Sequence, residues 1–327
     1  MPSLRARLTN AFLRLAVRRV WRPGLEIQEV RAHAARIDAR IGRAAPPVAV
    51  EQVVAGGVPA TWIGRPELAA RGTILYLHGG AWVMHLPGVY RRLATLLSSL
   101  TGMRVLMPDY RLAPEHPYPA AIDDCFAVYS WLLDQGHADR PLAVAGDSAG
   151  GGLTLVTLMR ARNAILQLPD CAVLLSPAAD LTFSGPSVRY NADADPMFSS
   201  AAIDLLADQY CPGEDLRNPL LSPLFGDWAG LPPLLFHVGS TEMLLDDSVR
   251  AHDRARQAGV DASIDVFWEL PHVFHAFGWL PEARSAMHSI AGFITRRAQR
   301  TAHGPPPVTT TLAAVATPGQ PGIREGA

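Results

Sequence analysis

Gly146-Asp147-Ser148-Ala149-Gly150 stands between an apolar run, Leu142 to Ala145, and a segment with helical patterning, Gly150 to Arg160. A strand turning straight into a helix around such a pentapeptide is the context of a nucleophile elbow. So tight a turn forces its central residue into a strained backbone conformation, and the flanking glycines remove side chains that would collide. Ser148 Oγ is thereby raised clear of the sheet. The next amide, Ala149 N–H, points into the same space at the positive end of a helix.

Outward from this turn, apolar or β-branched runs at 60–63, 73–77, 103–107, 141–145, 171–175, 234–238 and 263–268 read as strands. Between them, 88–101, 119–135, 149–164, 245–258 and 282–300 read as helices, several closed by Gly102, Gly136 or Gly259. Strands alternating with crossover helices imply a mostly parallel α/β sheet covered on both faces. Residues 180–230 break the rhythm with polar turns, prolines and one short helix near 199–210, and read as an inserted lid. Residues 4–21 read as an amphipathic helix stopped by Arg22-Pro23-Gly24. Its apolar stripe of Leu4, Leu8, Phe12 and Leu15 is expected to pack on the protein, and Arg7, Arg14 and Arg18 form a second stripe. Contact of this helix with an anionic membrane surface is the alternative. The stretch 302–327, opened by Pro305-Pro306-Pro307, has little apolar patterning and is expected to be a disordered tail.

Composition narrows the chemistry. At 327 residues with 49% hydrophobic and 18% charged side chains, the chain can bury one large core. A formal charge of −1 without a dense basic face disfavours nucleic-acid binding. All 29 cationic side chains are arginine, which removes lysine-based chemistry. Cys125, Cys171 and Cys211 are widely separated, so neither a zinc cluster nor a disulfide framework is expected, and a reducing cytoplasm fits. No run of 18 apolar residues is present, so no membrane-spanning helix is expected, and arginines interrupt the first 21 residues too often for a signal peptide.

A serine hydroxyl needs a base within hydrogen-bond reach and a third group to orient that base. In nucleophile-elbow enzymes the acid and then the histidine follow the serine. His237 lies mid-strand, His252 and His288 on outer helices and His303 in the tail. His272 and His275 remain, in a loop after the last strand; His272, directly after Pro271, is the expected base and His275 a structural neighbour. Glu242 follows the strand ending near Val238 and is the expected acid, with Asp246 the alternative. Asp246 and Asp247 fit N-capping and dipole neutralisation at the next helix. For the oxyanion, His78-Gly79-Gly80-Ala81-Trp82 follows the strand Thr73 to Leu77, and Gly79, Gly80 and Ala149 are the expected donors. Trp82 is a candidate pocket wall, and Met197, Phe198 and Tyr210 supply apolar surface from the lid.

These stretches, with Asp109-Tyr110-Arg111-Leu112-Ala113-Pro114-Glu115 and Gly151, resemble the hormone-sensitive-lipase-like esterases of the α/β-hydrolase superfamily over about residues 50–300. The resemblance implies an eight-stranded, mostly parallel sheet flanked by helices, with a helical cap. The cap would combine residues 1–48 with the insertion at about 180–230, and residues 49–301 would form the hydrolase domain. It also implies cofactor-free hydrolysis of small, short-chain carboxylic esters, and relatives often form homodimers. Glu242-Met243-Leu244-Leu245-Asp246 stands where the family has Asp-Pro-Leu-x-Asp, and His272-Val273-Phe274 where it has His-Gly-Phe. Arg111 and Glu115 are expected to hold the loop beneath the oxyanion hole by ion pairing. Amide or lactone hydrolysis and acyl transfer would use the same residues. A non-catalytic ligand receptor on this fold and a membrane-surface scaffold are the rivals from other classes.

Overall fold

A computed structural model describes residues 1–20, 26–42 and 48–302. The expected helix stop at Arg22-Pro23-Gly24 and the tail from residue 303 lie outside the described residues.

Eight strands form one sheet: β1 Val50–Ala55, β2 Val58–Ile63, β3 Thr73–Leu77, β4 Arg104–Pro108, β5 Leu142–Asp147, β6 Cys171–Leu175, β7 Leu234–Gly239 and β8 Ala262–Phe267. Their order is β1-β2-β4-β3-β5-β6-β7-β8; β1, β2 and β4 pair antiparallel and the others parallel. β3, β5, β6 and β7 are buried along their whole length because both faces are covered, which is why they read as continuous apolar runs. β1 is an edge strand with mostly exposed positions, and its weak patterning left it unread in the sequence.

The helices are α1 Leu4–Ala16, α2 Ile27–Gly42, α3 Pro87–Thr101, α4 Ala120–Asp134, α5 Ala149–Asn163, α6 Ser187–Tyr190, α7 Ser200–Tyr210, α8 Leu245–Gln257 and α9 Pro281–Ala302. α3 and α9 close one face through Tyr90, Leu93, Leu97, Met287 and Ile290. α4, α5 and α8 close the other through Ile122, Val128, Val156 and Ala251. Gly102 ends α3 in the left-handed conformation, as expected of a C-terminal glycine.

The N-terminal helix departs from expectation twice. α1 stops at Ala16 and a short 3-10 turn, Arg18–Val20, follows. Its buried side is Ala6, Thr9, Asn10 and Leu13, so the apolar stripe of Leu4, Leu8, Phe12 and Leu15 faces solvent rather than the protein. α2, not resolved as an element in the sequence, is tied down by Arg31: its guanidinium pairs with Glu115 at 2.6 Å and donates to Val83 O and Ala113 O, each at 2.7 Å. Among the described residues no helix is long and apolar enough to cross a membrane.

Strand order reverses between β3 and β5, and ligand sites in open α/β sheets collect at the carboxyl ends of strands at such a switch point. Leu77 of β3 pairs with Gly146 of β5, so the loops beginning at His78 and Ser148 leave the sheet side by side.

Candidate active site

Ser148 sits between β5 and α5 with φ 52° and ψ −122°, a strained conformation for a residue with a side chain. The flanking glycines make it attainable. A Cβ on Gly146 would lie 2.3 Å from Gly150 O, and one on Gly150 would lie 2.0 Å from Leu77 O. Ser148 O accepts from the amides of Gly151 at 2.9 Å and Ala178 at 2.9 Å, which pins the turn.

Glu242 lies in the loop after β7 and His272 in the loop after β8; both are buried. His272 Nδ1–H donates to Glu242 Oε2 at 2.7 Å. Glu242 Oε1 accepts from Ser176 Oγ at 2.8 Å and from the Gly239 amide, so the carboxylate is clamped along both edges. His272 Nε2 is buried without a hydrogen-bond partner among the described residues. Burial opposes a charge on His272, but the hydrogen bond and charge of Glu242, with Asp195 and Asp147 adding to them, outweigh it and raise its pKa above the ordinary histidine value.

Ser148 and His272 line one apolar cavity of about 190 Å³, together with Gly80, Ala81, Met197, Phe198 and, from the N-terminal helices, Leu13 and Val30. Ser148 also borders a smaller space of about 40 Å³, lined by Trp82, Ala149, Leu181, Phe183, Phe198 and Ile203. Phe198 lines both spaces and sets its ring edge against His272, centroids 5.0 Å apart. Trp82 is both wall and anchor: it lines the smaller space and stacks on Tyr210 at 4.4 Å.

The expected donor Gly79 is corrected. Its N–H donates to Asp147 Oδ1 at 3.0 Å, and it does not line the cavity, whereas Gly80 and Ala81 do. Its hydrogen is directed at that carboxylate and not into the cavity. Gly80 has φ 109°, and a Cβ there would lie 2.1 Å from Met84 O, so only glycine fits this loop. Asp147 is the residue that sequence reasoning passed over. Burial pushes its pKa up to about 6, against hydrogen bonds from Tyr76 Oη at 2.8 Å and the Gly79 amide. It welds the serine turn to the glycine loop. His78 itself is buried, stacked on Tyr110 and His85, with burial lowering its pKa to about 3.

Asp246 and Asp247 do not cap α8, whose N-cap position is Leu244, but both lie in its first turn, where acidic side chains meet the positive end of the helix as expected. Asp246 Oδ2 accepts from Ser187 N at 2.7 Å, whereas His272 is hydrogen-bonded to Glu242. Asp247 Oδ2 accepts the amides of Ala179 at 2.8 Å and Asp180 at 2.9 Å. Both tie the 176–233 connection to the body. Asp195, also unforeseen, accepts from Met197 N, Phe198 N and Met243 N and so joins the cavity wall to the Glu242 loop. Arg111 and Glu115 do form ion pairs, but with Asp124 of α4 and Arg31 of α2. His237 and His275 are buried against each other, Nδ1 to Nε2 3.2 Å, behind the His272 loop.

A family model described as alpha/beta hydrolase fold matches residues 74–276. An acetyl-hydrolase of Streptomyces hygroscopicus is 39% identical over 246 residues, 74% of this chain and 81% of that protein. An esterase of Acinetobacter venetianus is 39% identical over 256 residues, 76% of this chain and 83% of that protein. Among solved structures, an esterase from the bacterial hormone-sensitive lipase family superposes with a TM-score of 0.85 at 35% identity, covering 91% of this chain and 99% of that one.

Proposed function

Because this chain belongs to the α/β-hydrolase fold family and is a serine carboxylesterase of the hormone-sensitive-lipase-like group, we propose that Ser148, His272 and Glu242 act as its nucleophile, base and orienting acid. One observation carries the assignment. His272 Nδ1 is held by Glu242 at 2.7 Å, while Nε2, buried and unpartnered, belongs to a ring lining the same cavity as Ser148.

His272 Nε2 takes the Ser148 proton as Oγ bonds to the ester carbonyl carbon. The carbonyl oxygen becomes an oxyanion facing the amides of Gly80, Ala81 and Ala149, each such donor being worth about 2.7–4 kcal/mol. The imidazolium, steadied by Glu242, protonates the departing alcohol as the carbon–oxygen bond breaks. Water then attacks the acyl-enzyme through the same steps, releasing the acid and restoring Ser148. The 176–233 connection and the N-terminal helices act as a cap over this centre, since Met197, Phe198, Leu13 and Val30 line its cavity.

Two apolar spaces adjoin Ser148, and the more confined one suits the smaller substituent of the carbonyl, which supports small esters as substrates. The assignment is tested by fluorophosphonate labelling and turnover of para-nitrophenyl esters of increasing chain length. Ser148→Ala is expected to abolish labelling and lower kcat by about 10⁴-fold or more with the fold intact. Wild-type turnover by that variant would remove Ser148 from the mechanism.

A further inference from the structure

α1 presents its apolar side to solvent. At about 100° per residue, Leu4, Leu8, Phe12 and Leu15 fall within one arc of about 80°. They are 70%, 62%, 55% and 59% exposed, respectively. Isolated surface leucines are ordinary, but four large apolar side chains on a single helix face form a patch. Polar contacts lock the helix in this orientation. Ser3 Oγ donates to Glu282 Oε2 at 3.0 Å, Thr9 Oγ1 accepts from Trp279 Nε1 at 3.0 Å, and Asn10 Nδ2 donates to Glu269 O at 2.9 Å.

Charge identifies what fits the patch. Residues 1–25 contain Arg5, Arg7, Arg14, Arg18, Arg19 and Arg22 and no acidic side chain. Arg5 borders the stripe on one side, Arg7 and Arg14 on the other, and all three are exposed. Arg5 donates to Trp279 O at 3.1 Å and Arg14 to Ala194 O at 2.9 Å; such carbonyl contacts leave the guanidinium charge unneutralised. Arg18 is 3.9 Å from the exposed carboxylate of Asp193.

We propose that α1 docks this protein on a bilayer surface carrying anionic lipid, with Leu4, Leu8, Phe12 and Leu15 between the headgroups and the arginines against phosphates. An apolar face bordered by arginine is the composition of a helix lying in the membrane interface, and each basic side chain near an anionic leaflet adds to the attraction. A second copy meeting this face about a two-fold axis would set arginine against arginine. The opposite side of the helix contributes Leu13 to the cavity that holds Ser148, so docking brings that wall to a source of apolar esters.

The test is co-sedimentation of the full chain with equimolar phosphatidylglycerol–phosphatidylcholine vesicles and with phosphatidylcholine alone. Binding is expected to be about tenfold stronger to the anionic vesicles and to weaken with added salt. Leu8→Gln/Phe12→Gln should lose it while keeping wild-type hydrolysis of soluble para-nitrophenyl acetate, since neither side chain lines the cavity. Arg7→Gln/Arg19→Gln should lose the anionic preference. Wild-type protein left in the supernatant, equal pelleting of the Leu8→Gln/Phe12→Gln variant, or a dimer in light scattering that this variant breaks would each overturn the proposal. Because esterase turnover is read separately, loss of the triad assignment would leave this result unaffected.

Discussion

His272 is pulled in two directions: burial disfavours its charge, and the hydrogen-bonded Glu242 carboxylate favours it more. A base works only while neutral, so hydrolysis should be lost as pH falls through a His272 pKa that lies above the ordinary value. Replacing Glu242 by Gln removes the stabilising charge. The acid limb of the kcat/KM profile should then move to lower pH while kcat drops, and Asp246→Asn should move neither. A limb that shifts in Asp246→Asn instead would exchange the two acids. The neighbouring Val273 shows a different tension. It keeps a glycine-like backbone, φ 47° and ψ 44°, with a β-branched side chain. That geometry costs about 1–2 kcal/mol, part of which glycine's own unfolded-state entropy offsets. Val273→Gly should therefore raise unfolding stability by about 1 kcal/mol in urea titration; a loss would mean that the Val273 contacts outweigh the backbone strain.

Elements remote in sequence meet through single side chains. Arg31 joins α2 to the loops at Val83 and Ala113 and to Glu115, whose pKa falls to about 2, chiefly through the hydrogen bond from that guanidinium. Three charge-assisted contacts on one side chain outweigh the ordinary surface ion pair. Arg31→Ala should cost about 2 kcal/mol of stability and raise KM more than it lowers kcat, because α2 lines the cavity through Val30 and Ile37. Unchanged KM with full stability would show that α2 is held by apolar packing alone. The connection between β6 and β7 is anchored in the same manner by Asp195, Asp246 and Asp247. The long-range part of these ties has no local signature, since each acidic residue sits in an unremarkable loop or first turn and finds its distant partner 48, 59 or 68 positions away.

Across the molecule, stability depends on buried groups that titrate in opposite senses. Burial lowers His78 to about 3 and His237 to about 4, so below the ordinary histidine value the unfolded chain binds protons that the fold refuses. That contribution makes stability fall with falling pH. Asp247 works the other way. Burial, with Asp180 nearby, pushes it up to about 7 despite two backbone donors, so the fold takes a proton first and gains stability as pH falls from about 7 toward the ordinary aspartate range. Asp247→Asn removes the second contribution. Its melting temperature should decline more steeply than wild type between about pH 7 and 4. Parallel curves would mean that Asp247 is ionised throughout.

The alternation of apolar runs with helical segments and the Ser148 turn were legible along the chain, because each rests on periodicity or on neighbouring residues, and so was the succession of Ser148, Glu242 and His272 on which the proposed triad rests. Three other features were not. The Gly79 amide is taken by Asp147, the leucine stripe of α1 points outward, and α2 and β1 exist at all as elements, only because residues far apart meet in the folded chain. A hydrogen bond changes hands over a fraction of an ångström. An amphipathic pattern fixes which side chains share a helix face, but which face is buried depends on the polar contacts that neighbouring elements offer.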